Sequence, residues 1–208
     1  MNKLKHYISV SLILLIVCTF NNSIYAIYKI PKDLQKEVAQ NKALFDSNPN
    51  SKDARFNLAM SYAYTGQIQS GWDTLKKLPK SYANTVLDTY TPLEKQDPTN
   101  WKYPFKLAFG YYFEKDKQNA ISSFKRVLDI DPNNVWAMGF IALIKGEQKK
   151  YDEAISLCKK ALSIEPDATA IHFLLAEAYR KKGKYFKFLK HMFKVGRLQS
   201  QEKKALKA

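Results

Sequence analysis

Histidine, cysteine and acidic side chains are where chemistry would first be sought, and this chain offers few of them. Beyond residue 26 the histidines are His172 and His191, and the cysteine is Cys158. Acid–base or nucleophilic catalysis needs a base within reach of a reacting group, and the sequence places no serine or cysteine constellation beside either histidine. Cys158 falls where Phe124 and Met192 stand 34 residues to either side, so an apolar side chain is expected there and the thiol reads as core. A lone cysteine closes no internal disulfide, and no Cys/His cluster has metal-ligand spacing. Asp152 and Glu153 are consecutive at a helix start, which suits the helix dipole better than proton transfer. The expectation is a chain without catalysis, cofactor or metal.

Charge is the larger signal. The 208 residues are 46% hydrophobic and carry 34 Lys and Arg against 19 Asp and Glu, a net +15. Such a balance attracts acidic partners without specifying a fold. From Arg180 to Ala208 there are eleven basic residues and one acid, Glu202, so +10 lies in the last 29 residues. No zinc spacing, helix-turn-helix signature or RNA-binding strand motif accompanies it, which argues against nucleic acid.

Residues 1–26 read as an export signal. Lys3 and Lys5 precede an uncharged run from Tyr7 to Phe20, and Ser23 to Ala26 supplies a small residue for cleavage. As a helix the run would span roughly 21 Å, short of the ~30 Å hydrocarbon core, which favours a cleaved signal over an anchor. Cys18 ends "LIVC", where Val17 stands in place of the small residue of a lipoprotein box. Retention as an anchor and lipidation at Cys18 stay open. Export places the protein in the periplasm or cell envelope, membrane-associated or secreted.

The elements that must position any site announce themselves as a repeat. "KQNAISSFKRVLDIDPN" at 117–133 returns as "YDEAISLCKKALSIEPD" at 151–167, and Pro98, Pro132 and Pro166 stand 34 apart. This spacing defines registers 101–134, 135–168 and 169–202. Their columns agree: Leu107, Ile141 and Leu175 at position 7; Ala108, Ala142 and Ala176 at 8; Ile121, Ile155 and Leu189 at 21; Ile130, Ile164 and Leu198 at 30. Apolar positions at helical spacing on two consecutive helices give a helix pair per register. Small residues at 8, opposite Ala120 and Ala154 at 20, let the two helices approach. The prolines end each second helix.

At these columns the chain resembles the tetratricopeptide repeat family. A further, degenerate copy at 52–80 carries Leu58, Ala59, Tyr62 and Gly66 in matching columns, with Gly71 at position 20. Lys145 departs from the family's aromatic at position 11, Phe188 from its small residue at 20, and Lys115 and Lys149 from its turn glycine. Phe188 predicts looser packing of the last pair. The resemblance implies an all-α, helix-turn-helix repeat solenoid wound as a right-handed superhelix. Residues 27–51 hold an amphipathic capping helix through Leu34, Val38 and Leu44, stopped by "NPN". Residues 81–100 form an irregular insert in which Pro92 is expected to break any helix, and 203–208 a basic tail.

The resemblance also implies a site. The first helices would line a concave groove with positions 2, 5, 9 and 12: Phe56, Met60 and Ala63, then Lys102, Phe105, Phe109 and Tyr112, then Trp136, Gly139 and Leu143, then Phe173, Glu177 and Arg180. No Lys or Asn stands at 5 or 9, where some family members clamp a terminal carboxylate. Aromatic anchors favour an apolar or amphipathic protein segment, with Gly139 leaving room for a side chain. The alternative is that several rings are core or are covered by the 81–100 insert. At the other end, Tyr185, Phe188, Leu189, Met192 and Phe193 form an apolar stripe opposite Lys181, Lys182, Lys184, Lys187, Lys190, Lys194 and Arg197. That helix either keeps a solvated basic face or meets an anionic membrane or envelope surface.

Overall fold

The computed structural model describes residues 30–205, with side chains to residue 201. The expected signal at 1–26, Cys18 with it, lies outside the described residues, as do the side chains of the basic tail from 203. Ten α-helices and no strand are present among the described residues. They are α1 (Lys32–Ser47), α2 (Lys52–Ala63), α3 (Ile68–Leu75), α4 (Tyr82–Gln96), α5 (Lys102–Phe113), α6 (Lys117–Ile130), α7 (Val135–Glu147), α8 (Tyr151–Ile164), α9 (Thr169–Lys181) and α10 (Tyr185–Ala205). Neighbours in sequence pack as neighbours in space through α5–α10, giving an all-α repeat stack.

Local chemistry sets the helix ends. Ser51 Oγ accepts from the Ala54 amide at 3.1 Å, Asp116 Oδ1 from Asn119 at 3.0 Å and Asn134 Oδ1 from Ala137 at 3.0 Å. Each satisfies an amide that the first turn leaves without an intrahelical acceptor. At the other end, α4, α6 and α8 stop two residues before Pro98, Pro132 and Pro166. The residues before those prolines, Asp97, Asp131 and Glu165, share one extended geometry, with φ of −134°, −125° and −122° and ψ of 83°, 86° and 87°. Proline forbids them the helical region, so one residue type stops three helices in the same way.

The turn within each pair bends through a left-handed residue: Gly66, Lys115, Lys149 and Gly183, at φ of 75°, 63°, 63° and 69°. Close helix approach follows from the small columns. Ala59, Ala108, Ala120, Ala142, Ala154 and Ala176 are all buried, and a Cβ on Gly71 would lie 3.1 Å from the Ala59 carbonyl oxygen. Lys145, standing where the family carries a ring, reaches Glu153 Oε2 at 2.7 Å across α7 and α8.

Three expectations are corrected. Residues 82–96 are one continuous helix, α4, with Pro92 inside it. Pro92 is on the exposed side, where water can take the hydrogen bond it cannot donate, while Ala83, Val86 and Tyr90 bury the opposite side. Leu44 does not hold α1 to the stack: it is exposed, and the half-buried Phe45 takes that place beneath the Arg55 guanidinium, 4.8 Å from its ring centre. In α10 the single stripe divides, with Phe188 and Met192 half-buried and Tyr185, Leu189 and Phe193 exposed. Val195 and Leu198 supply the fully buried contacts instead.

Candidate functional site

The aromatic anchors expected in the groove are core. Phe56, Met60, Ala63, Phe105, Phe109, Trp136 and Gly139 are all buried. Phe56 is covered by Tyr82 and Tyr90 of α4, at ring distances of 5.7 and 6.1 Å. Phe105 and Phe109 are closed over by Phe140 of α7, at 5.7 and 4.9 Å, and both meet Phe124 of α6 edge-on. Trp136 lies on the α2–α3 turn, where a Cβ on Gly66 would come within 2.3 Å of its ring. Gly139 does leave room, but Ile171 of α9 fills it: Ile171 Cδ1 would be 2.5 Å from a Cβ there. Rings of this size gain more from burial against one another than from facing water.

Lys102 remains half-buried and joins a polar cluster that links four helices. Its ammonium and the Tyr64 hydroxyl both donate to the Glu37 carboxylate of α1, Tyr64 at 3.1 Å. One turn further on, Lys106 Nζ donates to Asn57 Oδ1 at 2.8 Å and lies 4.6 Å from the Tyr90 ring centre. The Tyr90 hydroxyl donates to the same Asn57 oxygen at 2.9 Å. Burial pushes the Lys106 amine down to about 8, with Glu37 opposing the shift and Lys102 adding to it. Burial and the Glu37 charge hold the Tyr64 phenol well above its ordinary value. None of Glu37, Asn57 and Lys106 stood out in the sequence, because the cluster joins residues 49 and 65 positions apart.

The other groove positions keep partial exposure: Tyr112, Leu143, Phe173, Glu177 and Arg180 are half-buried. They lie on α5, α7 and α9, at position 12 (Tyr112, Arg180), position 9 (Leu143, Glu177) and position 5 (Phe173) of their repeats. Tyr112 donates to Glu147 Oε1 at 2.6 Å, tying α5 to α7, and burial with that carboxylate raises its phenol far above the usual range. Glu177 accepts from Arg180 Nε at 3.1 Å and Nη2 at 2.7 Å. The face is therefore apolar at Leu143 and Phe173 and carries a fixed ion pair beside them.

In the basic set, Lys182 pairs with Asp152 and Lys194 with Asp167, the latter at 2.6 Å. Lys187 sits 5.4 Å from the Tyr179 ring centre. Lys181, Lys184, Lys190 and Arg197 are exposed. Beneath them, His172 and His191 meet at 3.0 Å between their Nδ1 atoms, and His191 stacks on Tyr179. Cys158 is fully buried, and burial raises its thiol to about 12, so it stays protonated.

Comparison with known proteins bears on this architecture. Three family models, each described as a tetratricopeptide repeat, match residues 53–85, 105–134 and 147–190. "Stress-induced-phosphoprotein 1" of Caenorhabditis elegans is 28% identical over 80 residues, 38% of this chain and 25% of that protein. "Protein STIP1 homolog" of Dictyostelium discoideum is 31% identical over 75 residues, 36% of this chain and 13% of that protein. The chain thus spans a quarter or less of these relatives. Among solved structures, "Crystal structure of MamA" superposes with a TM-score of 0.51 at 20% identity, covering 83% of this chain and 92% of the other. "MamA RS-1 ArsTM double mutant" gives 0.50 at 14%, covering 81% and 86%. These likenesses concern the fold alone. With its 34-residue period, small-residue columns and left-handed turns matched by family models in three places, the chain belongs to the tetratricopeptide repeat family.

Proposed function

We propose that this protein is an exported scaffold that holds an apolar or amphipathic segment of a protein partner against α5, α7 and α9. The observation that carries this reading is the partial exposure of Tyr112, Leu143 and Phe173, at groove positions of three successive repeats, where the neighbouring rings are buried. A partner helix or extended segment can bury those side chains further, and the Glu177–Arg180 pair gives it a polar end to register against. Helices stacked on one another supply a rigid platform, so little ordering is needed at binding.

The test is capture of partners from envelope extracts by the full chain, run beside Leu143→Lys and Phe173→Lys. Both side chains are only half-buried, so circular dichroism should show intact helices. A partner held by the parent chain and lost from both variants supports the face. An unchanged set of partners overturns it. Export is tested separately: fractionation that leaves the chain on the cytoplasmic side removes that part of the reading.

A further inference from the structure

Among the described residues, the outer face of α10 is unlike any other surface. Tyr185, Phe186, Leu189 and Phe193 are 63%, 92%, 46% and 76% exposed, and Leu44 is the one other large hydrophobic so exposed among the described residues. At about 100° per residue the four fall within an arc of roughly 100°. Phe188, Met192, Val195 and Leu198 occupy the adjoining arc, turned toward α9, on which α10 chiefly packs. Stability therefore accounts for the inner set and leaves the outer set unexplained, since contiguous exposed rings mark a contact surface.

Charge around that arc is one-sided. No acid occurs between Glu177 and Glu202. Arg180, Lys182 and Lys194 are neutralised by Glu177, Asp152 and Asp167. Lys184, Lys187, Lys190 and Arg197 have no ion pair among the described residues, and Lys190 and Arg197 project next to Phe186 and Phe193 on the same face. Protein interfaces deplete charge at their apolar centre. A single helix face with rings and cations side by side fits a lipid headgroup layer, where rings enter the acyl boundary and long basic side chains reach the phosphates.

We infer that α10 docks the protein on an anionic membrane surface, with Phe186, Leu189 and Phe193 entering the headgroup layer and Lys190 and Arg197 meeting lipid phosphates. This attachment is independent of the partner face on α5, α7 and α9. It leaves that face free, because the two lie on different helices and different residues.

Cosedimentation of the full chain with vesicles tests it. One set is phosphatidylcholine alone and the other carries about one-third phosphatidylglycerol. Any binding through residues 1–26 is common to every chain compared. The parent protein should prefer the anionic vesicles, and more weakly at high salt. Phe186→Ser/Phe193→Ser and Lys190→Glu/Arg197→Glu should each lose about tenfold or more in anionic-vesicle affinity. Their helicity and melting should match the parent, since all four side chains are exposed. Absence of a lipid preference overturns the inference, as does parental affinity in either variant. If charge reversal abolishes binding while the serine variant binds normally, insertion is overturned, because only a contact open to any polyanion remains.

Discussion

The Nδ1 atoms of His172 and His191 lie 3.0 Å apart, and only one proton fits between them. His172 Nε2 is 2.9 Å from the Pro166 carbonyl oxygen, which can only accept, so that nitrogen carries the hydrogen. Neutral His172 then offers a bare Nδ1 to the Nδ1–H of His191. A second proton would place two N–H groups face to face and break the link between α9 and α10.

A pH dependence with a defined sign follows. Burial lowers the His172 pKa, and burial together with His172 and nearby Lys190 and Lys159 lowers that of His191 to about 4. The unfolded chain, with ordinary histidines near 6.5, binds more protons than the folded one between those values. Stability is therefore full above about pH 6.5 and falls as pH drops toward 4. Discounted for the solvent that reaches the half-buried His191, the loss is on the order of 1 kcal/mol. Thermal melts at pH 5 and pH 7.5 should show it, and His191→Gln should flatten the difference.

Lys115 and Lys149 hold left-handed backbone at φ 63°, where their counterparts Gly66 and Gly183 need no Cβ. A left-handed L-residue costs on the order of 1 kcal/mol, partly offset because glycine loosens the unfolded chain. Lys115→Gly and Lys149→Gly should each stabilise by about 0.5 kcal/mol, and additively since they sit in different repeats. Urea titration of the single and double variants checks both points.

These turns were legible in the sequence, and so was the repeat, because a 34-residue period repeats the same steric demands at Ala108 and Ala142 or at Pro132 and Pro166. What covers a side chain was not legible. Phe105 and Phe109 occupy groove columns, yet Phe140 closes over them, and column position says nothing of a ring brought from the next repeat. Gly139 promised space that Ile171 takes. Pro92 reads as a break unless its exposed placement on α4 is known. The Glu37–Lys102 and His172–His191 pairs join residues on separate helices, which no local spacing announces.

Asn57 is the shared acceptor for Lys106 and the Tyr90 hydroxyl. Asn57→Ala leaves a largely desolvated amine with only the long contact to the Tyr90 hydroxyl oxygen, 3.3 Å, and should cost about 2 kcal/mol. Lys106→Met removes the charge with its need for a partner and keeps the stem packed against Tyr90, so it should be neutral within about 1 kcal/mol. Denaturant unfolding separates the two. Equal losses in both variants would mean that the amine itself, not its satisfaction, holds α2 to α5.

Phe109 and Phe173 stand in groove columns of different repeats, one buried and one half-buried, and they should fail in different ways. Phe109→Ala removes a ring packed on Phe105, Phe124 and Phe140 and leaves a cavity at the centre of the stack, at a cost of about 3–5 kcal/mol. Phe173→Ala gives up a side chain that solvent already reaches, and should cost about half as much or less. Thermal unfolding ranks the pair. If function resides on the half-buried groove positions, Phe173→Ala loses the partner while remaining folded, whereas Phe109→Ala loses it only to the extent that the chain unfolds. Binding measured against the folded fraction at several temperatures distinguishes the two: only the Phe109 variant should regain full binding on cooling.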